Sequence, residues 1–596
     1  MILRALLAVV VVTQTVEAQP ISDIRATVTR ALPLLQQSAG EFVAKRSCVS
    51  CHHNILPILM LHEARNRGLQ IDVGVLQSVE DKTFRELRGA NALDEAIQAT
   101  NLNDPTPNDS YLLMAAHEAG LAPDLTLAVY ARRLVRWQRQ GHWITSDFRP
   151  PHSSSVFMAT ATAVHAIQSF MPAELAAERD ASLAKARQWL LENRPVSTED
   201  AAFRLMGLEW AHASSDEIAR AAVDLRAMQK PSGGWPQLPG YVPDAYSTGE
   251  AVYALHVAGF GATDQAWATG LKFLISTQAK DGTWRTQTRM VSPANVSPKY
   301  FPTGFPYVKD EFLSYAGSCW AVMALLSALP SSPPQVPTMQ PEAVSPSSSW
   351  MRTALFGDPQ QLSSLMDSGL DPNSRTVNGT TVLMAAAPDV EKVRLLLARG
   401  ADAKARPGSG HDALTIAAAY RGTAGSIQTL LAAGAAAEPP DGVRVRKSPL
   451  VFASMTGDLE NVALLLSHGA KASESALSEA VTFGYLDVVN ALIAGGADAG
   501  IVESSGINLL HWAAITNRPT IIPALAAAHV PIDAMDDNGF TPLMYAATID
   551  FGDVAVMRAL LSAGADKTIR NFEGRTPLAL ARRYQHSRLE AELRGR

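Results

Sequence analysis

The chain has 596 residues and a formal net charge of -6, with 47% hydrophobic and 18% charged residues. That length exceeds one core and points to roughly three or four domains, and the composition excludes a disordered chain. Basic residues are scattered, the densest group being Arg444, Arg446 and Lys447, so there is no concentrated basic face of the kind a nucleic-acid footprint needs.

Residues 1–18 carry one early charge, Arg4, then an apolar run from Ala5 to Val12 and a small-residue end at Val16-Glu17-Ala18. This is the three-part layout of a secretory signal peptide, with cleavage expected before Gln19. An anchoring helix is the alternative, but the run falls short of the about 20 residues that cross a bilayer core. No later segment offers such a span. The mature chain is therefore expected in the periplasm or secreted, with no transmembrane span.

The sharpest local signal follows at Cys48-Val49-Ser50-Cys51-His52. Two thiols three apart, followed at once by His, are what covalent haem attachment needs: each thiol adds to a vinyl group and the imidazole reaches the iron. The stretch from about 21 to 53 resembles the attachment region of c-type cytochromes. Gly40 stands where that family often has Gly, while Ala44 stands where it usually has an aromatic residue. The resemblance implies one covalent haem c held by Cys48 and Cys51, with His52 as proximal iron ligand. Met60, His62, Met114 and His117 are the distal candidates. Two other readings stay open: a Cys48–Cys51 disulfide, and a metal site with His52, His53 and His62. Cys319, in an apolar helical run, reads as a buried inert thiol.

From about residue 55 to 329, helical segments of about 14 to 18 residues alternate with Gly-, Pro- and Asp-rich turns. Three turns share a pattern: Gln138 to Trp143, Gln229 to Trp235, and Gln278-Ala279-Lys280-Asp281-Gly282-Thr283-Trp284. Their period of about 46 residues suits helix-hairpin repeats. They resemble the QW turns of squalene–hopene cyclases and prenyltransferases, which implies an α/α toroid. The cyclase acid motif is not kept: Asp244-Ala245-Tyr246-Ser247-Thr248 has Tyr and Ser where that family has Asp. A phenol with a pKa of about 10 cannot protonate an alkene, so no working triterpene cyclase is expected. Asp147, Glu199 with Asp200, and Asp310 with Glu311 precede helices and read as caps, or as acid–base pairs in a cavity. His142, Trp143, His152 and Trp235 read as turn packing or as a carbohydrate-lining set.

Between 330 and 349 Pro and Ser dominate, which reads as a semi-extended linker. Beyond it a phrase recurs as Leu396-Leu397-Ala398-Arg399-Gly400-Ala401, Leu465-Leu466-Ser467-His468-Gly469-Ala470 and Leu560-Leu561-Ser562-Ala563-Gly564-Ala565. Its partner phrase is Thr541-Pro542-Leu543-Met544-Tyr545-Ala546-Ala547, with Thr576-Pro577-Leu578 as another copy. The spacing is close to about 33 residues, and residues 350–596 resemble ankyrin repeats, about seven of them. Such arrays bind proteins.

The fold class expected is all-α: a signal peptide (1–18), a haem-attachment helix region (19–54), a toroid (55–329), the linker, and the array. The expected function is that of an exported c-type haem protein in electron transfer, held to a redox or other protein partner by the array, and more a carrier than an enzyme. The alternatives are a non-catalytic binding scaffold and a toroid-cavity enzyme acting on a polysaccharide or lipid.

Overall fold

The computed structural model describes residues 19–290, 303–331, 350–440, 442, 443 and 445–595. The signal-peptide reading, Arg444 and nearly all of the linker lie outside them. Among the described residues the chain is helical, with isolated bridges and no strand.

Twelve helices of the first 330 residues organise the N-terminal part: α1 (Ile21–Lys45), α2 (Leu56–Asn66), α3 (Val73–Thr83), α4 (Asn108–Glu118), α5 (Leu125–Trp137), α6 (Val156–Phe170), α7 (Ala176–Glu192), α8 (Thr198–Trp210), α9 (Ser215–Ala227), α10 (Ala245–Val257), α11 (Gln265–Thr277) and α12 (Glu311–Leu326). The even-numbered helices pack each on the next, and α12 packs back on α2, which closes a ring. The odd-numbered helices lie outside it. The composition fits this division. α12 is buried along its whole length, whereas α9 buries only Ala221, Ala222 and Leu225. A helix apolar all round is an inner helix; one with a narrow apolar stripe faces water.

The three Gln-to-Trp turns are the joints. Trp143, Trp235 and Trp284 donate their indole N–H to Leu134, Leu225 and Leu274, one carbonyl near the end of each preceding outer helix. Their backbone N–H groups meet Thr160, Thr248 and Ser318 on the inner helix that follows. Each Gln amide donates to the Gly carbonyl of its own turn and to the next outer helix, at Ser182, Ala266 and Thr27. The glycines are left-handed, and a Cβ there would strike a backbone carbonyl of that next helix. Only Gly permits both the φ and the approach. The third turn clasps Thr27, so α1 is an outer helix of the ring and not a separate cytochrome-like unit.

Residues 350–595 form eight helix pairs among the described residues. The repeated phrases explain themselves locally. Thr381, Asp412, Ser448, Ser473, Asn508, Thr541 and Thr576 each cap a first helix by accepting a backbone N–H three residues on. Pro after the cap costs nothing, since that N–H has no helical partner. Gly400, Gly469 and Gly564 close second helices with positive φ.

The array lies along one rim of the ring. Trp137 donates to Ala419 O at 2.9 Å, and Arg132 holds both oxygens of Asp389 at 2.9 and 3.0 Å and Leu355 O at 2.7 Å. Arg139 pairs with Asp487, His411 with Gln98 O, and Tyr241 with Asp550. Apart from His411, these contacts come from the ends of the first helices and the turns into the second ones, where Asp389 caps a second helix and Asp487 sits in the first turn of another. The second helices turn outward, with Arg394, Gln428 and Asn490 exposed.

Candidate functional site at the centre of the ring

Between α1 and α2 the chain makes one wide helical turn, Cys51–Ile55, of the π type often found at functional positions. Ser50 starts it: its hydroxyl accepts from the His53 N–H at 3.1 Å, and its own N–H donates to Asn54 Oδ1 at 3.0 Å. The turn points Cys51, His52 and His53 into the protein. Cys48 stays on the surface, in the loop that ends α1.

Cys51 Sγ lies 3.0 Å from His152 Nε2, and His152 Nδ1 lies 3.1 Å from the Tyr246 hydroxyl. Tyr246 is the second residue of α10, and one turn on, Glu250 is fully buried. Glu250 sits within reach of the Tyr246 hydroxyl, which favours its charged form, while Glu199 Oε1 on α8 has no hydrogen-bond partner. Burial, reinforced at Glu199 by the Glu250 charge and at Glu250 by the Asp244 charge, pushes both carboxyls well above the ordinary range. Burial also pushes the Cys51 thiol up to about 12, with Asp147 adding to it, and brings His152 down to about 3. These shifts all favour the uncharged form of the groups at the centre: thiol, imidazole, phenol and carboxylic acids.

His53 serves the fold. Its ring stacks between Phe42 and Tyr315, with centroids 4.8 and 3.9 Å away, and its Nε2 meets Glu311 at 3.3 Å. Glu311 also accepts from Thr303. Asp200 is the capping-box residue of α8, Asp244 caps α10, and Asp310 pairs with Arg285. Asp147 accepts from the Arg149 backbone and side chain. Of the suspected carboxylates only Glu199 turns an unpartnered oxygen, Oε1, into the centre. Trp143 and Trp235 are spent on the turns and His142 stacks on Trp189, so His152 alone of the suspected carbohydrate set reaches the centre.

The haem reading meets this geometry as follows. His52 is buried, its Nδ1 against that of His53, and its ring packs against Phe42, Phe312 and His152 at 5.8 to 6.0 Å. Cys51 turns toward His152 and Cys48 faces solvent. A porphyrin bonded to both thiols and to His52 needs the three on one face, and this placement does not gather them. The distal candidates are dispersed. His62 has both ring nitrogens engaged, by Glu80 and Arg65. Met60 and Met114 are core residues, and His117 is exposed beside His165. No step is therefore routed through a haem. Among the described residues no three His, Cys, Asp or Glu side chains form a metal-ligand set, and no helix is long and apolar enough to cross a membrane.

Glu250 was not singled out from sequence. The available signal was slight: Glu250 is a lone acid four residues after Tyr246 in an otherwise apolar helix, hence on one face with it.

Comparison with known proteins bears on the C-terminal part. Residues 350–441, 477–571 and 510–590 match the family model described as ankyrin repeats. An ankyrin repeat-containing protein of Treponema pallidum is 34% identical over 118 residues, which is 20% of this chain and 39% of that protein. The palmitoyltransferase ZDHHC13 of Danio rerio is 32% identical over 128 residues, 21% of this chain and 20% of its own length. The palmitoyltransferase Hip14 of Drosophila melanogaster is 35% identical over 97 residues, 16% and 15% respectively. The chain thus spans well under half of these relatives. They correct two expectations. The function expected, haem-based electron transfer, gives way to protein binding, because the relatives are ankyrin-repeat proteins and palmitoyltransferases. The leaning against an enzyme gives way too, because several relatives are named as enzymes. What the matches establish for this chain is its C-terminal ankyrin-repeat array.

Proposed function

We propose that this is a protein-binding chain whose ankyrin array works on two faces: its first-helix face grips the helical ring, and its second-helix ridge takes a protein partner. The observation that carries the reading is that the matched ankyrin region meets the ring through buried, directional contacts, Arg132 to Asp389 and Trp137 to Ala419 O, while Arg394, Gln428 and Asn490 point away. An array gripped in this way presents its outer ridge at a fixed angle to the ring. The ring itself is read as an α/α toroid, supported by the closed succession of inner helices and by the three equivalent Trp turns. Export is a proposal resting on residues 1–18, tested by sequencing the N-terminus of protein recovered from the periplasm.

The test is site-specific photo-crosslinking in the full chain. A crosslinker at Gln428 or Asn490 is expected to capture the partner, and one at His411 or Trp512 to yield only crosslinks within the chain. Partner capture from His411 or Trp512 would overturn the two-face reading. An enzymatic component is favoured by one observation, the Cys51–His152 contact at the ring centre.

A further inference from the structure

We propose that the seam between ring and array holds a site for a small organic anion, a carboxylate or phosphate ester, gripped by Arg139 of the ring and Arg518 of the array. The site extends the two-face reading and rests on its first face, because only the docked array completes it. A cavity of about 330 Å³ lies there, at the lower end of what small-ligand clefts occupy. Trp137 and Arg139 line it from the end of α5 and the turn that follows. Phe483, Tyr485, Arg518 and Thr520 line it from the helix-to-helix turns of two neighbouring repeats.

Arg518 is built into this place. Gly484 is left-handed, and a Cβ there would meet Arg518 Cδ at 2.7 Å, so the glycine lets the arginine lie across the turn of the repeat before it. Nε of Arg518 donates to Thr482 O at 2.8 Å, and Nη2 crosses the seam to Thr145 O at 2.5 Å. Both acceptors are uncharged. Among the described residues no carboxylate pairs with Arg518, and its Nη1 has no partner. Burial brings this guanidinium down to about 10, a penalty on its charge that a bound anion would offset.

The balance of charge around the cavity points the same way. Tyr485 lies among three guanidiniums, those of Arg139, Arg421 and Arg518. The acids at hand are engaged: Asp487 pairs with Arg139 at 3.0 Å, and Asp104 accepts from Thr106, Thr145 and Ser146. Burial pushes the Asp104 carboxyl up to about 7, which thins the negative charge further. The Arg139 guanidinium rests over the Tyr485 ring at 4.8 Å, which holds its fork in place for the paired oxygens of a carboxylate or phosphate. Trp137, Phe483 and Tyr485 give apolar walls for a flat organic body. A ligand held by both parts binds only the docked form, and so strengthens the docking by mass action.

The experiment is calorimetric titration of the full chain with benzoate and with phenyl phosphate, benzamide serving as the uncharged counterpart. One of the anions is expected to bind at least about tenfold more tightly than benzamide, and which one does so tells carboxylate from phosphate. Thr520→Glu sets a carboxylate at an exposed position of the lining, clear of the seam hydrogen bonds. It is expected to weaken anion binding about tenfold or more and to leave benzamide unchanged. Arg518→Gln is expected to do the same in protein shown by thermal melting to be folded. Saturating anion should slow hydrogen exchange on both sides of the seam, in residues 138–143 and 517–520. Equal affinity for the anions and benzamide, or full anion affinity in Thr520→Glu, would overturn the site. Absence of anion binding in a chain whose His411 crosslinker still reaches the ring would overturn it too, and leave the two-face reading standing.

Discussion

The ring and the array are both built from helix pairs, yet they solve the problem of ends in opposite ways. In the ring the last inner helix packs on the first, so no pair is terminal and the inner helices carry apolar surface on every side. In the array each pair meets only its neighbours, as in any linear repeat. One long face is then left over, and here the ring covers it. Closure produces a centre where His152, Glu199 and Glu250 are buried. Stacking produces a surface.

If this contrast is right, the largest effect belongs to the turns that close the ring. Trp235 is fully buried and donates to Leu225 O, so Trp235→Ala is expected to cost ~3–5 kcal/mol. Hydrogen exchange should rise in all ring helices together. The same experiment on Leu430→Ala in the array should raise exchange in that repeat and its neighbours only. Loss confined to one ring helix pair in Trp235→Ala would break the comparison.

Next comes the seam. Arg132 is buried, and its removal leaves Leu355 O to Lys392 and takes from Asp389 its two-pronged partner, with Lys392 and the more distant Arg136 remaining. Arg132→Ala is expected to cost about 3 kcal/mol in urea unfolding and to split one transition into two. A single undivided transition would mean that the two parts do not unfold separately.

The centre sharpens the comparison through pH. The buried Glu250 carboxyl has its folded pKa raised above the unfolded value of about 4.3. Its contribution is fully present below that pH and is lost as pH rises toward the raised folded value. Glu250→Gln is therefore expected to stabilise the ring at neutral pH and to flatten this pH dependence. A variant less stable than the parent at pH 7 would show that the carboxylate is satisfied in the fold.

The smallest effect belongs to a single cap. Thr541→Ala removes the side chain that accepts the Met544 N–H and is expected to cost ~1 kcal/mol, measured by thermal melting.

Local rules were legible in the sequence wherever one residue type has one physical use. Gly at a left-handed position, Pro after a cap, Thr or Asp at a helix start and paired Leu before a closing Gly determined the ankyrin helices and their boundaries. The Gln, Gly and Trp of three turns determined where outer helices end and inner ones begin. Tertiary structure decided which residues met across sequence gaps. Nothing near Cys51 announces His152, a hundred residues away, and nothing near Tyr246 says that its hydroxyl turns to that ring. The motif at Cys48 to His52 was read through its spacing, but spacing does not say which way each side chain faces; the packing of α1, α2 and α12 around the turn does. The same holds for the array. Its repeats are a local property, whereas the covering of its first-helix face depends on Arg132 and Trp137 of a distant helix, set in place by ring closure.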